Sequence, residues 1–142
     1  MGAGLALSFL GQNGGLGHGE LGFALRNVSG AYCRTYGYPG VLFLDRAGAP
    51  LPTVPTRTTH DFFGAVPVRA LVLGPGASAS FRLGVTHVAP GSDSSAGCAT
   101  AYGLQAIAPD DTATIRTATP DGAYECRTVT VSPLAPAHSA YP

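Results

Sequence analysis

The residues of this 142-residue chain that could do chemistry are four histidines, three cysteines, an Asp pair and a few loop serines. His18, His60, His87 and His138 are isolated from one another, with no H-x-x-x-H or H-E-x-x-H spacing, so a zinc site would need ligands from distant loops. His60 and Asp61 are neighbours, and neighbours on a strand point to opposite faces, which suits neither a general base nor the group that orients it. No G-x-S-x-G elbow accompanies Ser92, Ser94 and Ser95, which read as solubilising loop residues. Asp110 and Asp111 make a weak site for a hard cation and serve equally well in a turn. The Gly-rich run at residues 11–19 has no Lys and no helix after it, so it is not a phosphate loop. Neither a metal nor a cofactor is expected, nor any catalytic residue, and the chain is expected not to be an enzyme.

The cysteines carry more information. Cys33, Cys98 and Cys126 form no C-x-x-C pair, which leaves a disulfide as the alternative to unrelated buried thiols. Cys98 and Cys126 flank the Asp110-Asp111-Thr112 turn symmetrically, so folding back there sets them opposite each other. A loop of that size stabilises a domain by roughly 3–4 kcal/mol when closed. Cys33 is left over.

Aromatic side chains are the other resource. Phe62 and Phe63 are consecutive inside a polar connection, and a period of two sends such neighbours to opposite sides. Either the loop caps the core and buries both, or one is exposed as a contact point. Tyr36 and Tyr38, with Tyr32, could form a platform that stacks on a sugar. The alternative is structural: Pro39 fixes φ, Gly37 and Gly40 relax it, and Tyr38 covers an end of the core. Phe62, Phe63, Tyr36 and Tyr38 are therefore the candidate binding residues.

Composition narrows the partners. Charged residues are only 11% of the chain, all eight cations are Arg, and eight acids balance them to a net charge of zero. Without a basic footprint, neither nucleic acid nor an anionic membrane surface is an expected partner. The absence of Lys excludes Schiff-base and Walker-type chemistry. Residues 5–10 are far too short to span a bilayer and lack the charged start and cleavage site of a signal peptide, so no transmembrane segment is expected in this chain.

The elements that must position these residues are strands. Period-two alternation recurs at residues 5–10, 20–28, 66–73, 79–85, 102–106 and 124–131, while no window holds a 3.6-residue stripe. Residues 41–45 are apolar on both faces and predict a central, covered strand. Pro50, Pro52 and Pro55 predict an edge strand or extended loop. Residues 11–19, 56–65 and 89–97 read as connections, and Gly74-Pro75-Gly76 as a tight turn. This pattern predicts an all-β fold, an immunoglobulin-like antiparallel β-sandwich of about eight strands. It occupies residues 1–132 as a single domain, followed by a fraying Pro/Ala-rich tail at 133–142.

Residues 25–41, Leu-Arg-Asn-Val-Ser-Gly-Ala-Tyr-Cys-Arg-Thr-Tyr-Gly-Tyr-Pro-Gly-Val, resemble the motif of a family of exported actinobacterial domains, domain of unknown function 4232. Leu73-Gly74-Pro75-Gly76-Ala77-Ser78-Ala79 is similar to the family's turn before a late strand, and the likeness covers roughly residues 5–132. Family members usually carry another Cys before the first strand, where this chain reads Met1-Gly2-Ala3-Gly4, so the partner of Cys33 stays unassigned. The resemblance implies an extracytoplasmic domain, secreted or anchored in the cell envelope, and supplies no catalytic or ligand residue. The expected function is a non-enzymatic cell-envelope interaction module, its partner an envelope protein or glycan. The alternative is a secreted carrier of an apolar small molecule, which requires a large apolar cavity near Phe62-Phe63. The Asn27-Val28-Ser29 glycosylation pattern is discounted, since it sits at a strand end.

Overall fold

The computed structural model describes residues 4–87 and 97–142. Their strands are β1 (Leu5–Gly15), β2 (His18–Asn27), β3 (Cys33–Tyr36), β4 (Gly40–Leu44), β5 (Val54–Arg57), β6 (His60–Asp61), β7 (Gly64–Ala65), β8 (Ala70–Leu73), β9 (Ser78–Thr86), β10 (Ala99–Ile107), β11 (Thr114–Glu125), β12 (Thr128–Val131) and β13 (Ala135–Pro136). The fold is all-β, with several antiparallel sheets. The largest runs β1-β2-β9-β12-β5, with β13 also on β9; the others are β11-β10-β4, β3-β8 and the small hairpin β6-β7. One pair, β12 with β5, is parallel. No helix among the described residues is long and apolar enough to cross a membrane.

The sheets meet on one core. Phe23 and Phe81 stack at 5.5 Å between ring centres, and Phe43, Leu104, Leu71, Leu73, Val129 and Val131 close around them. Ala79, Phe81, Leu83 and Val85 all point inward, as their alternation predicts.

Several elements differ from the sequence-based expectation, each for a physical reason. The Gly-rich run is not a loose connection: β1 continues to Gly15 and turns through Leu16-Gly17 alone into β2. Both turn residues have positive φ, 53° and 78°, as a two-residue hairpin of this hand requires. The strand at residues 40–44 is an edge strand, paired only with β10 and bridged at Leu44 to Pro50. On its outer side Leu42 is half-buried and Leu44 is buried without β4 pairing a further strand. The strands covered on both faces are β2 and β9. Residues 66–69 stay out of the sheets, since Pro67 has no amide to donate, and β8 begins only at Ala70. The polar connection at 56–65 itself folds, giving the end of β5 and the β6-β7 hairpin. Residues 89–96, with Ser92, Ser94 and Ser95, lie outside the described residues.

Instead of fraying, the C-terminal segment packs. Leu134 enters the main core, Ala135 and Pro136 pair with Ser80 and Ala79 of β9, and the chain then brings Ala140 and Tyr141 against Gly22 and Ser80 on the outer face of β2 and β9. Tyr141 sits on Gly22, where a Cβ would come within 2.2 Å of the ring. Ser80 Oγ accepts the Ala140 amide, and Arg82 donates to the Ala140 carbonyl. Arg82 also forks onto the Asp61 carboxylate at 2.9 and 3.0 Å, while Asp61 Oδ1 accepts the Phe63 and Gly64 amides. This buried pair ties the β6-β7 hairpin and the tail to the same strand. Burial and the nearby Glu20 carboxylate push the Tyr141 hydroxyl pKa upward.

Cys98 and Cys126 form the disulfide expected from their spacing, one step beyond the Ala99–Glu125 register pair of β10 and β11. Beside it, Glu125 is almost wholly buried and accepts the Arg127 amide. Desolvation raises its pKa, outweighing the lowering by that hydrogen bond and the Arg127 charge.

Two outcomes are expected. Asp61→Asn lowers stability by about 3 kcal/mol in urea denaturation and speeds amide exchange at Ala140, because the Arg82 charge is left buried and the tail loses its anchor. An unchanged Ala140 exchange rate would separate the tail from the ion pair. Glu125 favours its neutral form on folding, so its contribution is complete at low pH and is lost as pH rises through its folded pKa. The melting temperature of Glu125→Gln relative to the natural chain should therefore climb as pH rises above the ordinary carboxylate range.

Candidate functional site: two exposed surfaces

The β3-β8 ribbon is held by one amide. Asn27, buried at the end of β2, donates through Nδ2 to the carbonyls of Ala31 and Leu73 at 2.8 and 2.9 Å. Its Oδ1 accepts the amide and the hydroxyl of Ser29 at 3.0 and 2.7 Å. The side chain is fully spent and buried, which removes it as a glycosylation acceptor and gives the Asn-Val-Ser triplet a structural role.

On that ribbon, alternation turns Thr35, Leu71 and Leu73 inward and Arg34, Tyr36 and Val72 outward. The β10-β11 turn approaches the Tyr36–Ala70 end. Between them runs a groove of about 390 Å³, lined by residues 34–36, 70–72 and 109–111. A second hollow of about 340 Å³ continues it past Tyr36, Pro109 and Asp110 to Tyr38, Arg57 and Val68. Arg57 lies over the Tyr38 ring at 5.6 Å. The structure thus brings Tyr36 and Tyr38 to one trough, whereas Tyr32 lies against Gly74 at the far end of the ribbon.

Phe62 and Phe63 sit elsewhere. They line a separate hollow of about 150 Å³ with His18, Val85, Thr86, Thr128 and Thr130. The loop buries neither ring in the main core. Phe62 is 54% exposed, stacked on His18 at 4.1 Å, and its edge partner Phe63 is half-buried. Leu16, two residues from His18 at the hairpin tip, is 90% exposed. His87, whose amide bonds the Gly17 carbonyl, extends this end toward half-exposed Tyr124.

Among the described residues, no three His, Cys, Asp or Glu side chains converge on a point. Asp111 Oδ1 accepts the amides of Thr112 and Ala113, the turn role that its sequence suggests. Cys33 is unpaired and half-buried in β3.

The family model described as Domain of unknown function (DUF4232) matches residues 2–135. The chain belongs to the DUF4232 family. No curated protein and no solved structure matches it. The DUF4232 match ends inside the packed C-terminal segment, so the whole trough and both aromatic groups fall within it. Sequence patterning alone missed Leu16, Arg34 and Val72 as surface features. The available signal was the i, i+2 pair Arg34 and Tyr36, which puts a charge and an aromatic on one strand face in a charge-poor chain.

Because Phe62 is more than half exposed, Phe62→Ala should change the stability of the DUF4232 domain by less than about 1 kcal/mol in chemical denaturation. A loss of several kcal/mol would make the ring a core element.

Proposed function

We propose that this DUF4232 domain is an immunoglobulin-like antiparallel sandwich exported from an actinobacterial cell, where it acts as a non-enzymatic interaction module of the envelope. The Cys98–Cys126 bond supports an oxidising compartment, since disulfides persist there and are rare in reducing cytosol. The contact end is the hairpin tip with Leu16, Phe62 and Phe63.

Leu16 carries this proposal. A branched apolar residue at φ 53° costs stability compared with the Asn or Gly that such a turn prefers. At 90% exposure it recovers nothing by burial within the chain. A strained, exposed Leu beside an exposed, stacked Phe is the pattern of a surface shaped for contact.

The carrier alternative has less support. The hollow beside Phe62 holds about 150 Å³, below the ~300 Å³ at which small-molecule sites begin, and Phe23, Phe43 and Phe81 fill the core.

Leu16→Asn separates a contact role from a structural one. It should raise stability by up to about 1 kcal/mol by relieving the turn. It should also abolish the discrete adduct formed in cells by a photo-cross-linking residue placed at position 62. A loss of stability would make Leu16 a structural residue, and an undiminished adduct would remove it from the contact.

A further inference from the structure

Apart from the Phe62 end, the trough beside the β3-β8 ribbon contains polar groups that the fold leaves unused. Half of the eight arginines are committed by side-chain hydrogen bonds: Arg26 to the Gly76 carbonyl, Arg46 to the Tyr102 hydroxyl, Arg82 to Asp61, Arg116 to Gln105. Arg34 makes no side-chain hydrogen bond or ion pair among the described residues, and neither does Asp110 across the groove. Asp110 is further held at φ 57°, a conformation that concentrates at working sites.

These groups specify a ligand chemistry. A guanidinium offers five fixed donors and a carboxylate only acceptors. Facing each other across a groove without pairing, they fit a molecule that both donates and accepts along its length. Tyr36, 60% exposed, supplies a flat apolar face beside them. Charge decides among polar ligands: Arg34 and Arg57 are balanced by Asp110 and Asp111, so the trough has no net charge to complement an acid or a base. A neutral, polyhydroxylated chain meets each condition, its hydroxyls bridging Arg34 and Asp110 and its C–H face lying on the tyrosine. The two hollows meet at Tyr36 and Asp110, which sets the ligand as an oligomer passing from one to the other. We infer that the trough is a binding site for a neutral oligosaccharide, with Tyr36 as the stacking platform and Arg34 and Asp110 as the paired hydrogen-bonding groups. The site shares no lining residue with the Phe62 hollow and does not depend on that end having a partner.

Calorimetric titration of the full chain with neutral cellohexaose, mannohexaose and chitohexaose, and with acidic hexagalacturonate, tests the inference. At least one neutral hexasaccharide should bind, and hexagalacturonate should not. Tyr36→Ala and Arg34→Ala should each weaken binding about tenfold, and both variants should fold, because the two side chains are exposed. Asp110→Asn, which tolerates the same backbone angle, should weaken it several-fold. Phe62→Ala should leave the affinity unchanged. No binding of any neutral hexasaccharide, tighter binding of the acidic one, or affinity that survives Tyr36→Ala would overturn the site. Loss of affinity in Phe62→Ala would place the sugar on the other surface.

Discussion

The Asn27 side chain is the constraint on which the ribbon and its groove depend. Four hydrogen bonds meet on one buried amide, and they connect the end of β2 to the chain entering β3 and to the end of β8. A two-stranded ribbon is marginal alone in water. This one is stabilised by the inward packing of Leu71 and Leu73 and by the amide, which fixes where the chain leaves the large sheet. Because both donors and both lone-pair directions of Asn27 are filled, its burial costs little. An apolar replacement would take the Asn27 donors away from the Ala31 and Leu73 carbonyls.

A second constraint works on the opposite face. The outer surface of β2 and β9 sets the small residues Gly22, Ala24 and Gly84 among polar ones, Ser80 and Arg82 included. The tail covers it, and the Arg82–Asp61 pair joins that cover to the β6-β7 hairpin. The same hairpin presents Phe62 to His18, so the exposed aromatic end is anchored through a buried ion pair whose partners lie 21 residues apart in sequence. Fixing an exposed ring in this way reduces the rotamer entropy that a partner would otherwise have to remove.

Much of this was legible in the chain. Alternation located the core faces of β2, β9 and β10, and the symmetric placement of two cysteines about the Asp110-Asp111 turn gave their bond. The failures share a cause: patterning reports what faces a core but not what covers the other side. Residues 41–44 look doubly buried yet lie on an edge, and the Pro/Ala tail looks solvated yet packs against Gly22 and Ser80. The tight turn at Leu16 was hidden among the five glycines of residues 11–19, because the residue bearing the strain is the one that turn statistics would exclude. Tyr36 and Tyr38 were visible as aromatics, but Arg34 and Asp110 become a pair only once residues far apart in sequence are brought together.

That separation bears on when the trough comes into being. Its walls come from residues near 35, 71 and 110, contributed by the β3-β8 pairing, whose strands lie far apart in sequence, and by the turn of the β10-β11 hairpin brought against it. Contacts of such long range form slowly, since loop closure must precede the reward of pairing. Every partly folded species therefore lacks a complete trough and is blind to whatever fills it. An occupant adds its linkage free energy to the finished state only, deepening the native well without trapping the chain on the way.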